Sequence, residues 1–451
     1  MRQFVTKLYL IASLAISFAF CSVLAQAQAV APAAAPSRVL ILHATLGNGH
    51  KTAAEAIQQQ IKDSHPETVV VMKDIFDFYP PEYKSFRERV FNFMAQSVPA
   101  FYDLWFKFYL FTQSRMETTL GAWLRQDQLA DNAQFRQFVE SEKPDLVFST
   151  FNYCTEALIK MKKRGQLKNI PIGSTLTDYI SHPYYAWIAR NSEMTFVPSQ
   201  YLHDYYVNLG VAPNRIRASA IPTHPSVSLA MSEKGKADFL VSEGLDPQRP
   251  TLFLVSGSAG VGNFSVMVKS IAEASAGRAV NLVVVAGRNE KQRAAVASLA
   301  QMLPPNINLK LYGLVPHPKM LNFMKSATVI VTKSGGLSVT EISVINKPVI
   351  YLDINGGQER FNADFFRETG MAWTTKVQRT IGQNLFRLLD DPETQARMIE
   401  AQKEMIGALS TTAVSEWIIE TLVSQESERP AGVNSASSDA SIVSCSKVLN
   451  R

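Results

Sequence analysis

The chain has 451 residues, 46% of them apolar, and a formal net charge of +6 from 45 basic and 39 acidic residues. That is length for two or three domains with a substantial core, and it excludes a fibrous or wholly unstructured chain. The charges are intermixed, with no basic arm and no Cys/His finger spacing, which argues against a nucleic-acid partner and fits at most mild attraction to anionic lipid or phosphate.

The first 36 residues carry Arg2 and Lys7, then an apolar run from Leu8 to about Leu24, then Ala25-Gln26-Ala27 and an Ala/Pro linker. Charge, apolar run and A-x-A pattern read as a secretory signal. At about 17 residues the run is also long enough for a short uncleaved anchor. The three cysteines, Cys21, Cys154 and Cys445, lie far apart without a CxxC pair. Neither a zinc site nor a disulfide framework is expected, and Cys154 reads as a small buried hydrophobe.

From residue 37 the pattern is β-α alternation. "RVLILHA" is an unbroken apolar strand, "GNGHKTAAEAIQQQIKD" a glycine turn entering a helix, and "TVVVMKD" the next strand. "DLVFST" and "MTFVPS" continue the series. A second series follows: "TLFLVSG", "NLVVVAG", "NLKLYG", "TVIVTKSGG" and "PVIYLD". Continuous apolar strands separated by helices predict parallel sheets covered on both faces, an α/β chain of two doubly wound domains. The expected division is a leader and linker over 1–36, a first Rossmann-like domain over 37–222, a second over 223–424, and a disordered Ser/Ala-rich tail over 425–451. Ligands of such folds bind beyond the carboxyl ends of the strands, so the cleft between the domains is where a site is expected. Residues 86–111, dense in aromatics around Arg87, Arg89 and Lys107, read either as an amphipathic lipid-interface element or as an aromatic-rich core helix.

Glycine turns follow the strands. In "TKSGGLSVTE", Ser334, Gly335, Gly336 and Leu337 form a strand-to-helix turn whose N–H groups suit a phosphate. Glu341, five residues beyond Gly336, is near enough to accept hydrogen bonds from vicinal hydroxyls. Phosphate cradle plus hydroxyl-accepting carboxylate is the minimum for a nucleotide. Gly49 in "LGNGHKTA", Gly257 and Gly260 in "SGSAGVGNF", and Arg288 in "AGRNEK" mark three more such rims. Gln358 and Glu359 in "DINGGQERFN", with Asn362 after them, pair an amide with an acid, a combination suited to sugar hydroxyls.

These motifs resemble, in order and over roughly residues 38–375, the lipid glycosyltransferases of family 28, the processive diacylglycerol glucosyltransferases and monogalactosyldiacylglycerol synthases. "LGNGHKTAAEAI", "TDYISHPYYAW", "FVPSQYL", "VVVAGRNEK", "LVPHPKMLNFMKSATVIVTKSGGLSVTE" and "NKPVIYLDINGGQERFNADFF" carry the likeness. The resemblance implies a GT-B fold that handles the acceptor in the first domain and a UDP-sugar in the second, without an obligatory metal. It implies Arg288 and the 313–315 segment, with Val315, at the uracil, Glu341 at the ribose, residues 334–337 at the diphosphate, and Gln358, Glu359 and Asn362 at the sugar.

Inverting transfer needs a base. His50 at its glycine turn is the first candidate and Asp178 in "LTDYISHP" the second. Members of the family often carry His where this chain has Phe151-Asn152, and some carry Asp near Thr45. The expected activity is hexosyl transfer from a UDP-sugar to diacylglycerol or a glycolipid at an anionic membrane surface. A signal-like N-terminus conflicts with a cytosolic donor, which keeps two alternatives open: an exported non-catalytic binding protein and an epimerase-like enzyme acting on the sugar nucleotide.

Overall fold

The computed structural model describes residues 36–45, 49–113, 129–353 and 356–428. Strands β1 (Arg38–His43), β2 (Val69–Asp74), β3 (Leu146–Ser149), β4 (Ile172–Thr175), β5 (Met194–Val197) and β6 (Ile216–Ala218) form one sheet. Its order is β2-β1-β3-β4-β5-β6. Strands β7 (Thr251–Val255), β8 (Val280–Val285), β9 (Ile307–Tyr312), β10 (Val329–Lys333), β11 (Val349–Leu352) and β12 (Trp373–Thr375) form a second. That sheet runs β12-β11-β10-β7-β8-β9, and every pairing in both sheets is parallel.

The unbroken apolar strands are explained by burial on two faces. Val39 and Ile41 point to one side, where Ala54, Ile57 and Phe148 pack, while Leu40 and Leu42 point to the other, against Leu158 and Ile188. Successive side chains alternate across a sheet, so a strand covered on both faces must be apolar throughout. Each such fully buried side chain contributes on the order of 1.5–3 kcal/mol.

Three short strands have no signal of this kind. The most instructive is β4, whose sequence is Ile-Gly-Ser-Thr. A Cβ on Gly173 would lie 2.4 Å from the Trp417 ring, so the strand is thinned to admit a tryptophan from far along the chain. Trp417 belongs to the helix Ala413–Glu428, which leaves the second sheet's territory and packs on the first, with Ile418 and Leu422 against Val39 and Ile41. The expected tail thus begins as helix through Glu428, and the rest of it lies outside the described residues. Gln60 Nε2 bonds both Thr223 O (2.9 Å) and Thr411 O (3.0 Å), tying together the two passages of chain between the halves.

In each sheet the chain reverses its winding direction beside the first strand. The reversals fall between β1 and β3 and between β7 and β10, where adjacent loops diverge and leave a crevice at the carboxyl ends. The start of the helix Gly49–Ser64 and the turn after β10 occupy these two positions.

Candidate active site

Between the two crevices lies a cavity of about 320 Å³. One wall comes from the second half: Gly257, Val315, Lys333, Gly335, Gly336, Leu337, Glu341, Gln358 and Glu359. The other comes from the first half: Gly49, His50, Tyr102, Thr177 and Asp178.

The turn after β10 behaves as its sequence implies. Gly335 occupies the N-cap of the helix Gly336–Val344 and offers no capping side chain, so the first N–H groups of that helix have no partner within it. Gly336 is required by space. A Cβ there would sit 1.9 Å from the Thr177 carbonyl oxygen and 3.3 Å from Asp178 Oδ1. Any side chain would hold the two halves apart, so the glycine that opens the helix N-terminus also lets the cleft close. Lys333, the last residue of β10, reaches over the turn and pairs with Glu359. A cation therefore stands beside a helix N-terminus, a double attraction for an anion.

Glu341 is buried in the same wall, and His317 Nε2 lies 2.8 Å from its Oε1. The hydrogen bond to Glu341 raises the His317 pKa above its usual value, despite the opposing effect of burial. Sequence reasoning placed the carboxylate but missed this partner.

On the facing wall, His50 Nδ1 is 2.6 Å from Thr150 O and 3.0 Å from Thr177 Oγ1. A carbonyl oxygen only accepts, so Nδ1 carries the proton and Nε2 keeps its lone pair. Burial lowers the pKa of the ring to about 4, leaving it neutral at physiological pH. Phe151 packs edge-on against it at 4.8 Å between centroids. Asp178 differs. Burial, reinforced by the charge of Glu359, pushes its carboxyl up to about 7, although Asn362 Nδ2 donates to its Oδ1 at 2.9 Å.

Four expected residues lie off the cavity. Asn362 is fully buried, donating also to Ser334 O (2.9 Å) and accepting from Tyr179 N (2.7 Å), which makes it a bolt between the halves. Ser334 is buried behind the turn, its hydroxyl donating to Glu359 O (2.6 Å). Arg288 is exposed at the rim, with its N–H donating to Ser258 O (2.8 Å). Gly260 packs against the Ala286 carbonyl, keeping the loops after β7 and β8 in contact. His182, near Asp178 in sequence, is buried against Phe106. Lys333, Tyr102, Thr177 and His317 line the cavity without having been expected there. Lys333 had a signal, a cation directly before a glycine turn; the others depend on folding.

The aromatic stretch forms two helices, Pro81–Ser97 and Pro99–Gln113. One face of it is core and the other is exposed. Tyr102 and Phe106 are buried, while Phe86, Phe93, Phe101, Leu104, Trp105, Phe108 and Phe111 are exposed, Leu104 at 67%. So many exposed large apolar side chains on two successive helices that also carry Arg87, Arg89 and Lys107 are uncommon on a protein that meets only water. No helix among the described residues is long and apolar enough to cross a membrane.

Two doubly wound halves, with a phosphate-type cradle on one and titratable groups facing it from the other, are the GT-B architecture, which serves more than one chemistry. The chemistry of its relatives comes from comparison with known proteins. Residues 50–223 match the family model for monogalactosyldiacylglycerol (MGDG) synthase, and 238–405 match glycosyl transferases group 1. The processive diacylglycerol beta-glucosyltransferase of Staphylococcus carnosus is 27% identical over 370 residues, covering 82% of this chain and 88% of that protein. Its Bacillus pumilus counterpart is 25% identical over 393 residues, covering 86% and 95%. The motif resemblance to the lipid glycosyltransferases of family 28 therefore holds along most of the chain. Among solved structures, Acinetobacter baumannii MurG superposes with a TM-score of 0.53 at 14% identity, covering 86% of this chain and all of that one. A Staphylococcus aureus MnaA–UDP co-structure gives 0.53 at 13%, covering 87% and 97%. These two likenesses speak for the fold.

Proposed function

We propose that the protein transfers a hexose, glucose or galactose, from a UDP-sugar to diacylglycerol or a glycolipid at a membrane face, with inversion at the anomeric carbon. The observation that carries this reading is the pairing, across one cavity, of an uncapped helix N-terminus beside Lys333 with a neutral histidine whose proton is held on Nδ1. The glucosyltransferase relatives and the MGDG synthase match support the lipid acceptor, and the UDP co-structure of a neighbour supports the donor.

In this scheme the diphosphate lies on the N–H groups of residues 336–338, Glu341 accepts from the ribose hydroxyls, Val315 stands at the base, and Gln358 and Glu359 meet the hexose. His50 Nε2 takes the proton from the acceptor hydroxyl as its oxygen attacks the anomeric carbon. The bond from that carbon to the diphosphate breaks, and the departing oxygen's charge falls on helix amides and the Lys333 ammonium. Preorganised donors of this kind perform the task a divalent cation performs elsewhere, so transfer proceeds without metal. Donor binding assists the base, because a nearby anion favours the charged imidazolium and raises a pKa that burial had lowered. The same anion keeps Asp178 protonated. The exposed face of the helical hairpin brings the site to the lipid, with Leu104 and Phe108 in the interface and the basic residues among anionic headgroups.

The test is incubation of the chain with diacylglycerol vesicles and, separately, labelled UDP-glucose, UDP-galactose and UDP-N-acetylglucosamine, followed by lipid extraction. Label in the lipid phase from one of the UDP-hexoses is expected. Epimerised donor with no labelled lipid would replace this reading with an epimerase, and UDP binding with neither product would leave a binding protein.

A further inference from the structure

The buried face of the helix Pro99–Gln113 reaches the sugar end of the cavity. The Tyr102 hydroxyl donates to Gln358 Oε1 (2.8 Å), and the Gly357 N–H donates to Asp103 Oδ1 (2.7 Å). The Arg360 guanidinium pairs with Asp103 and, through Nε at 3.1 Å, with Asp353. Gly357 has φ +67, and a Cβ on it would fall 2.3 Å from the Tyr102 ring, so backbone conformation and available space both demand glycine there. The hairpin and the 356–360 turn are thus fitted to one another by a hydrogen bond from each side and a half-buried ion pair.

This contact has a chemical consequence for Gln358. An amide offers one acceptor oxygen and two donor hydrogens. With one lone pair of the oxygen taken by Tyr102 the amide plane is fixed, and the NH2 supplies the donors for a ligand in the cavity while the oxygen keeps one lone pair. A hexose hydroxyl placed at the NH2 must accept, and epimers differ in whether a hydroxyl oxygen stands at that point. Without Tyr102 the amide rotates and offers oxygen or nitrogen alike, and discrimination falls.

Building on the UDP-hexose reading above, we infer that Tyr102 and Asp103 are positioning residues that select the hexose: Asp103 holds the turn, and Tyr102 fixes the Gln358 amide with its hydrogens toward the sugar. Sugar choice is then set jointly by the two halves, from the same helix whose outer face is apolar and exposed.

The experiment uses the full chain and Tyr102→Phe, which keeps the ring that fills the space beside Gly357. UDP affinity is measured by calorimetry, and kcat and KM are measured for UDP-glucose and UDP-galactose. Expected for Tyr102→Phe are UDP affinity within twofold of the native chain, a KM for the preferred donor raised about tenfold, and a hexose preference in kcat/KM reduced about tenfold, the factor that one lost hydrogen bond carries. Asp103→Asn keeps an acceptor for Gly357 but removes the charge facing Arg360. It shifts both quantities the same way by about threefold. A Tyr102→Phe chain with the native hexose ratio, whatever its overall rate, overturns the inference, because loosened packing slows both donors equally. A native chain that produces no heat with UDP overturns the nucleotide reading itself, an outcome visible before any variant is made.

Discussion

On the second-half wall of the cleft, Lys333, the Gly336 helix N-terminus and Glu341 all come from residues 333–341. On the first-half wall, His50, Tyr102 and Asp178 come from three distant stretches brought together by the sheet and the hairpin. The first wall is a local device that a strand–turn–helix builds by itself. The second is an assembly of distant stretches, and the halves meet along it, with Thr177 against Gly336 and Asn362 bonded to Asp178. In the proposed scheme the anion is held by one half, and proton transfer needs the cavity that both halves line.

The sharpest way to break that division is to remove the base. His50→Asn is expected to lower kcat by about 10²–10⁴-fold, the usual cost of losing a positioned general base, while leaving UDP affinity within threefold. The pH profile separates the two candidates. The base acts in its neutral form, and His50 has a pKa lowered to about 4, so kcat/KM should stay level from pH 8 down to about 5 and fall only as pH drops through about 4. A decline beginning near pH 7 as the medium is acidified would instead require the Asp178 carboxylate, which protonates there. In that case Asp178→Asn would take the large loss. With His50 as the base, Asp178→Asn retains activity within about tenfold, since the amide stands in for a protonated carboxyl.

Next in size is the local device. Glu341→Ala should weaken UDP binding by about 10- to 100-fold in calorimetry, as expected for a charged acceptor that loses hydrogen bonds to the pentose. It should also return the His317 pKa toward the ordinary histidine range in an NMR titration, because the Glu341 hydrogen bond is what raises it. Unchanged UDP affinity would detach the carboxylate from the nucleotide and leave it a partner for His317 alone.

How much of this was legible in the sequence follows the same division. The strands whose two faces are both buried announce themselves, because apolar side chains at every position have few other uses. The strand-to-helix turn after β10 is legible because a glycine pair directly after such a strand marks a turn into the next element. Strand β4 was not, because Gly173 answers to Trp417, more than 200 positions away. Tyr102 was not, because nothing near it in sequence says which of the many aromatics in 86–111 turns inward. Asn362 was assigned to the sugar from its neighbours Gln358 and Glu359. Asn362 stands one turn beyond Gln358 on the same face of the helix Gln358–Glu368, about 6 Å further along its axis, where it meets Asp178, Ser334 and Tyr179 at the junction between the halves instead of the cavity.

The hairpin offers a moderate effect that tests the second wall from outside. Leu104→Ser with Phe108→Ser removes two exposed apolar side chains, each contributing on the order of 1 kcal/mol or more when buried among acyl chains. Partition onto anionic vesicles, followed by sedimentation, should drop tenfold or more, with UDP affinity unchanged because neither side chain lines the cavity. Equal partition of the double variant would move lipid recognition elsewhere on the molecule.

The smallest expected effect is that of a chelator. If helix amides and Lys333 carry the leaving charge, EDTA should leave the transfer rate within twofold, whereas Lys333→Met should slow it by at least tenfold because nothing else at the turn supplies a full positive charge to the diphosphate. The variant also takes the Lys333 charge away from Glu359, whose carboxylate beside the cradle would then repel the donor more strongly. Lys333→Met with Glu359→Gln separates the two contributions. Recovery of UDP affinity in the double variant without recovery of kcat would assign the lysine to the departing charge, and recovery of both would reduce it to neutralising Glu359. A rate abolished by EDTA and restored by magnesium would show that the local device binds the diphosphate but does not by itself stabilise its departure.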